Sequence, residues 1–351
     1  MSRASRKVEH LRYALETDPA GSNGFDDIRF VHHALPASSY PALSLHTAIG
    51  ELAMSSPIFL NAMTGGAPET ETVNRDLAVA ARERGLAMAV GSQTAALRDP
   101  AMRRTFTVVR RVNPDGIVFA NVGANVTVEE ARAAVEMLEA DALQLHLNPL
   151  QELIMPEGDR DFRRVEERVA AIVASVPVPV IVKEVGFGLS GDVVRRLARL
   201  GVTAVDVGGR GGTNFAAVEN RRRAVALRGF DRWGLTTAES LLEAMHALEG
   251  RSVAVIASGG IRHGVDVAKA LALGADAVGV AGRFLRVWRD GGVPALLAEI
   301  DAFHEELKVA MAALGAGTVA ALRRAALVVS GATYHWCVLR GIDVTAYARR
   351  S

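Results

Sequence analysis

Residues 253–283 read VAVIASGGIRHGVDVAKALALGADAVGVAGR, and the fold is decided there. An apolar run at 253–258 ends in Gly259-Gly260, an amphipathic stretch follows, and a second apolar run fills 277–281. Val265, Ala268, Leu271 and Ala272 recur at the spacing of one helix face. Short continuous apolar runs suit strands buried on both sides, so this is a strand–helix–strand unit of about thirty residues. The same alternation extends upstream. Apolar runs stand at 57–62, 86–90, 116–121, 142–147, 180–185 and 204–207, separated by helical patterns such as Val193, Val194, Leu197, Ala198 and Leu200. Eight such units predict an α/β fold, a closed parallel (β/α)8 TIM barrel. A doubly wound open sheet is the alternative, but no glycine-rich dinucleotide turn opens the series.

Outside the barrel, residues 1–55 predict an N-terminal helix, a loop and a hairpin around 43–54. The chain beyond Pro294 predicts two or three further helices. The expected organisation is one domain over 1–351: an extension (1–55), the barrel (56–293) and C-terminal helices (294–351). With 351 residues, half of them hydrophobic and 23% charged, the chain can bury a large core. A net charge of +1 gives no reason to expect nucleic acid or a membrane as partner. Cys337 is the single cysteine, which excludes an intrachain disulfide and a cysteine metal cluster and fits the reducing cytoplasm. No apolar run approaches the ~18 residues of a membrane span. Arg3, Arg6, Lys7 and Arg12 have no apolar stretch behind them, so no secretory signal is expected, and Glu9, Glu16 and Asp18 argue against a presequence.

Ligands of such barrels sit at the C-terminal ends of the strands, so polar residues there carry the functional reading. Gly259, Gly260, Ile261 and Arg262 after the seventh run, with Ala281, Gly282 and Arg283 after the eighth, let main-chain N–H groups approach a phosphate beside helix N-termini. Tight barrel turns alone would also use glycines, but two such loops in consecutive units favour a phosphate site. At the fourth run Gln144, His146 and Asn148 alternate with Leu143, Leu145 and Leu147. Period two sends the leucines to the helices and the polar trio inward, leading to Gln151 and Glu152. Unpaired buried polar groups cost free energy, so three together point to function rather than packing. Lys183 ends the fifth run and predicts an anion opposite it. Its neighbour Glu184 faces the other way and is a poor partner. Asn61, Thr64, Gly65, Ser92, Gln93 and Asn121 complete a polar ring. Arg6, Lys7 and His10 fall within one helical turn and can converge on an anion. Between Gly208 and Thr236 a long loop carries glycines and the run Arg221, Arg222, Arg223. It reads either as a lid or as a solvated surface excursion.

Taken in order, these segments resemble the type 2 isopentenyl-diphosphate isomerases. The resemblance rests on Arg-Lys-Val-Glu-His (6–10), Asn-Ala-Met-Thr-Gly-Gly (61–66), Gly-Ser-Gln (91–93), Leu-His-Leu-Asn-Pro-Leu-Gln-Glu (145–152), Val-Lys-Glu-Val-Gly (182–186) and Gly-Arg-Gly-Gly-Thr (209–213). It implies interconversion of isopentenyl and dimethylallyl diphosphate with reduced FMN and Mg2+, the flavin being reduced by NADPH or another reductant. It further implies a cytoplasmic homo-oligomer of four or eight chains. Implied FMN contacts are Ala62, Met63, Thr64, Gly65, Ser92, Asn121, Lys183, Gly208, Thr213, Gly260, Ile261, Arg262, Ala281 and Gly282. Substrate contacts implied are Arg6, Lys7, His10, Ser92, Gln93, Thr94, Asn148 and Gln151. Glu152 is the implied magnesium ligand, and Gln151 and His146 the implied catalytic side chains. Thr94 stands where many family members have arginine, and Gly208 where some have serine.

Other readings need other residues. A 2-hydroxy acid oxidase on this barrel needs a histidine base and an arginine carboxylate anchor, for which only His263 and Arg262 offer themselves. A nucleotide dehydrogenase needs a loop cysteine, whereas Cys337 lies in the tail. A non-catalytic flavin or phosphate binder does not need Gln151 and Glu152.

Overall fold

The structure, a computed structural model, describes residues 9, 12–17, 21–250 and 252–350. Eight strands form the barrel: β1 (Ile58–Leu60), β2 (Met88–Ala89), β3 (Val118–Gly123), β4 (Ala142–Leu147), β5 (Val180–Glu184), β6 (Ala204–Asp206), β7 (Ala254–Ser258) and β8 (Ala277–Val280). Each pairs in parallel with the next, and β8 returns to β1, so the sheet closes with no edge. The predicted barrel is therefore the observed one, with small shifts of strand ends. The third strand starts at Val118 rather than 116, because Gly116 belongs to the preceding turn. A Cβ there would lie 2.0 Å from Asn113 Nδ2.

Period two works out as the sequence implies. Leu143, Leu145, Val180 and Val182 face the helices in the main core. Inside the barrel, Phe59, Ala89, Phe119, Ala142, Ile181, Ala204 and Ile256 form a separate apolar layer. Phe59 and Phe119 meet edge-to-face at 5.6 Å. The hairpin of Thr47–Ile49 with Leu52–Met54 buries Ile49 and Met54 against this lower layer. Above it the interior turns polar, with Asn61, Asn121, Gln144, Lys183, Asp206 and Ser258 all buried.

One pairing was not legible in advance. Ile28–Phe30 of the extension forms an antiparallel ribbon with Leu327–Val329 of the tail. Asp27 Oδ2 secures the junction by accepting from the Thr333 amide at 2.9 Å and its hydroxyl at 2.8 Å. The tail opens with Gly282–Ala313, kinked at Gly292 (φ 67°) just before Pro294. Val319–Leu322, Gly331–Leu339 and Thr345–Ala348 are its further helices. Among the described residues no helix is long and apolar enough to cross a membrane.

Candidate active site

A cavity of about 780 Å3 opens at the C-terminal ends of the strands, where the barrel rule places ligands. Its two walls are made differently.

One wall is main chain. Gly208 has φ 47°, and a Cβ on it would come within 2.1 Å of the Glu184 carbonyl oxygen, so serine has no room there. A Cβ on Gly260 would approach the Gly211 carbonyl to 2.3 Å, and one on Gly212 would approach the Gly260 nitrogen to 2.6 Å. The loops after β6 and β7 thus lie backbone against backbone. Helix Gly282–Ala313 starts beside them at Ala281 without a side-chain cap. Its first N–H groups carry the positive end of the helix dipole. Thr213, Arg283 and Arg286 line the same wall. Arg283 is taken by Glu299 at 2.6 Å. Burial, with Arg283 and Arg289 adding like charge, holds Arg286 below the usual arginine range. An anion here would relieve that repulsion. Arg286 was missed in the sequence; its only signal is its place one turn into the helix after Ala281-Gly282.

Two expected members of this wall are corrected. The Arg262 guanidinium turns away, bonding Asp26 at 2.8 and 3.0 Å and Asp266 at 2.8 Å. Its amide, expected to approach a phosphate, donates instead to Asp266 Oδ2 at 3.2 Å. Gly65 does not reach the cavity at all; it packs on Phe106, where a Cβ would sit 2.1 Å from the ring. Ala62, Met63, Thr64, Ser92, Asn121, Ile261, Ala281 and Gly282 do line it.

The other wall is side chain. His146 ends β4, Asn148 precedes helix Pro149–Ile154, and Gln151 and Glu152 lie in its first turn. Gln151 is nearly buried and doubly held. Its Nε2 donates to Glu219 Oε1 at 2.9 Å, and its Oε1 accepts from Asn148 Nδ2 at 3.2 Å. Asn148 Nδ2 also donates to Glu152 Oε1 at 3.0 Å, while Glu152 Oε2 accepts the Asp159 amide at 3.0 Å. Because Glu219 only accepts, the Gln151 amide is fixed with its nitrogen toward the carboxylate. Glu219 was missed; it is fully buried on Phe215–Asn220, a helix inside the long loop.

That loop is no solvated excursion. Arg222 Nη1 bonds Glu219 at 2.7 Å, its Nη2 pairs with Glu157, and its Nε lies 3.6 Å from Glu9. Arg221 meets Glu16 at 3.0 Å. The arginines thus hold the segment that carries Glu9 and Glu16 beside the mouth. Arg6, Lys7 and His10 themselves lie outside the described residues.

Lys183 is buried, and its Nζ donates to the Glu184 carbonyl at 2.9 Å rather than to a carboxylate. It is a cation available for an anion in the cavity. The Glu184 carboxylate instead accepts the amides of Val185, Gly186 and Phe187 at 2.5–2.7 Å. Burial nonetheless pushes that carboxyl up to about 7, against those amides and the Lys183 charge. Gln93, expected to touch substrate, faces the helix layer. Its Nε2 donates to the Ala134 carbonyl at 2.9 Å and its Oε1 accepts the Asn121 amide at 2.9 Å. Ser92 and Thr94 face inward with their hydroxyls 3.0 Å apart. Arg98, one turn beyond Thr94 and also missed, is exposed and lines the cavity.

Among the described residues no group of three or more His, Cys, Asp or Glu side chains could hold a metal. Glu152 alone suits a magnesium ion that takes its other ligands from water and phosphate oxygens. The oxidase requirements are unmet: His263 caps helix Gly264–Leu273, its Nδ1 accepting the Asp266 amide at 3.2 Å. Cys337 is buried, its thiol pushed up to about 12, which leaves it inert as a nucleophile.

Comparison with known proteins gives a consistent picture. The family model for FMN-dependent dehydrogenases matches residues 78–329. The chain is 53% identical to isopentenyl-diphosphate delta-isomerase of Geobacillus sp. (strain WCH70), covering all of both chains. It is 51% identical to the enzyme of the same name from Bacillus pumilus (strain SAFR-032), covering all of this chain and 99% of the other. Among solved structures, a putative lactate oxidase of Pediococcus acidilactici superposes with a TM-score of 0.67 at 17% identity, over 94% of this chain and 93% of that one. Flavocytochrome b2 superposes at 0.68 with 19% identity, over 92% and 83%. Those two likenesses speak for the fold.

Proposed function

The chain belongs to the isopentenyl-diphosphate delta-isomerases within the FMN-dependent dehydrogenase family, and from that premise we propose how its two walls share the reaction. It interconverts isopentenyl and dimethylallyl diphosphate, a proton being added at one carbon and another removed two bonds away. FMN is its flavin. When bound and reduced, FMN supplies an electron-rich ring able to donate a proton to the alkene and stabilise the cation formed.

The main-chain wall fits the FMN phosphate, because only glycine tolerates its close approaches and it ends in an uncapped helix N-terminus. Gly260, Ile261, Ala281 and Gly282 would bind the phosphate by their amides. Ala62, Met63, Thr64, Ser92, Asn121, Gly208 and Thr213 would enclose the rest of the cofactor. Lys183 would hold negative charge on the reduced ring system. In the side-chain wall, Asn148, His146, Ser92 and Thr94 would meet the substrate with Arg6, Lys7 and His10, while Glu152 binds Mg2+ shared with the diphosphate. Arg98 offers a further cation on the face of Thr94. Gln151 would lie at the reacting carbons and relay or position a proton. Its amide orientation, set by Glu219 and Asn148, is the observation that carries this reading. A dry, enclosed pocket is what a hidden tertiary cation requires. We further assign NADPH or another reductant to the flavin, a cytoplasmic location and a homo-oligomer of four or eight chains.

The test is anaerobic incubation with isopentenyl diphosphate, Mg2+ and FMN, with and without a flavin reductant. Dimethylallyl diphosphate formed only in the reduced sample supports the reading. Product formed equally with oxidised FMN contradicts it.

A further inference from the structure

Beneath the cavity floor a single hydrogen-bonded chain crosses the barrel. Asp206 is fully buried at the end of β6, and its carboxylate accepts from Asn61 Nδ2 at 2.8 Å, Ser258 Oγ at 2.5 Å and the Gly208 amide at 3.2 Å. Asn61 Oδ1 accepts from its neighbour's backbone, Ala62 N–H, at 2.8 Å and from Gln144 Nε2 at 3.1 Å. Gln144 Oε1 accepts from Asn121 Nδ2 at 3.0 Å, and Asn121 Oδ1 lies 3.0 Å from His146 Nδ1. Asn61, Asn121 and His146 line the cavity; Gln144 and Asp206 do not.

The direction of every link follows from its ends. A carboxylate with three donors on it can only accept, and a backbone N–H can only donate, so Asn61 has one orientation. Gln144 and then Asn121 inherit theirs, each turning nitrogen toward Asp206 and oxygen toward the histidine. A carbonyl oxygen facing Nδ1 requires a proton on Nδ1. Reversing any amide would set two donors or two acceptors against each other in a buried site, at about 1–3 kcal/mol for each unmatched group.

We propose that Asp206 is the positioning residue of His146, fixing the imidazole through Asn61, Gln144 and Asn121 as the tautomer protonated on Nδ1. The neutral ring then carries its lone pair on Nε2. No link needs substrate or flavin, so the tautomer stands apart from the substrate contact proposed for His146 above, and the two can fail separately.

The test is long-range 1H–15N correlation on the full-length, FMN-loaded protein labelled with [15N]histidine, recorded above the ring's own titration, with His146→Gln identifying the ring. The wild type is expected to show a protonated Nδ1 and an unprotonated Nε2. Asp206→Asn sets an amide nitrogen against Asn61 Nδ2 and loosens the head of the chain, leaving only the Ala62 N–H to orient Asn61, and Gln144→Met cuts the chain midway, so each is expected to shift part of the signal to the Nε2–H form. A wild-type ring protonated on Nε2 alone overturns the proposal, whatever the variants do. So does an unchanged ring in a variant that retains FMN and the wild-type far-UV circular dichroism.

Discussion

The two walls of the cavity are built by opposite means, and the proposed function gives each an anionic ligand to hold. The wall after β6, β7 and β8 is made of glycine backbone and a helix end, and its shape depends on atoms that are absent. The wall after β4 and β5, closed by the helix Phe215–Asn220 from the far end of the loop after β6, is made of side chains that fix one another, Asn148 with Glu152, Gln151 with Glu219, Glu219 with Arg222. A backbone cradle recognises what many ligands share, a phosphate, and goes with the fold the chain has in common with solved structures at 17–19% identity. A side-chain constellation recognises what one reaction needs. Losses on the first wall should therefore appear as lost flavin, and losses on the second as lost turnover with flavin retained.

The largest expected effect breaks the cradle. Gly260→Val adds a branched side chain where φ is 69° and the Gly211 carbonyl is 2.3 Å from the new Cβ. FMN affinity should fall about a thousandfold, as strain and overpacking together come to ~4 kcal/mol. Fluorescence titration of FMN reads this directly; unchanged affinity would mean that the flavin phosphate lies elsewhere. Next, Glu219→Ala leaves Gln151 Nε2 and Arg222 without their carboxylate. Turnover should drop about thirtyfold, on the order of 2 kcal/mol, with FMN affinity kept. An equal loss of FMN would show the walls to be one unit. Glu152→Gln should raise the Mg2+ concentration for half-maximal turnover about tenfold, as loss of one ligand to a weakly held ion does. A rise no greater than the assay error would place the ion on other groups.

The smallest effect on either ligand is expected at Glu184, on the seam between the walls. Its carboxyl is pushed up from 4.5 to about 7, so the folded state resists ionisation there. That contribution to stability is whole below 4.5 and declines as the pH rises through about 7. Urea unfolding of Glu184→Gln across this window should show the decline removed. A wild-type slope persisting in the variant would assign it to another group.

The barrel was legible because its signal is carried by runs and periods that no single residue can spoil. The inward turn of Gln144 and His146 was legible from the leucines between them. The ribbon of Ile28–Phe30 with Leu327–Val329 was not, since each strand is three residues long and its partner lies some three hundred positions away. Gln93 misled because adjacent residues at a strand end face opposite ways: Ser92 turns in and Gln93 out. Arg262 misled because Asp266 takes its amide and, with Asp26 of the extension, its guanidinium, a folding-back that glycine spacing does not reveal. Glu219 stayed hidden because its environment is tertiary, a loop helix folded onto the mouth. In sequence it is one acid before three arginines.

The most direct test of the division between the walls is Gln151→Asn, assayed for flavin and for turnover on the same sample. Shortening the side chain by one methylene withdraws the amide from Glu219 and leaves every glycine of the cradle in place. The account predicts FMN affinity within about twofold of wild type and turnover of isopentenyl diphosphate lower by about a hundredfold, the range of a lost proton-handling group. Full turnover with FMN bound would contradict the role given to Gln151, and a parallel loss of FMN would contradict the separation of the two walls.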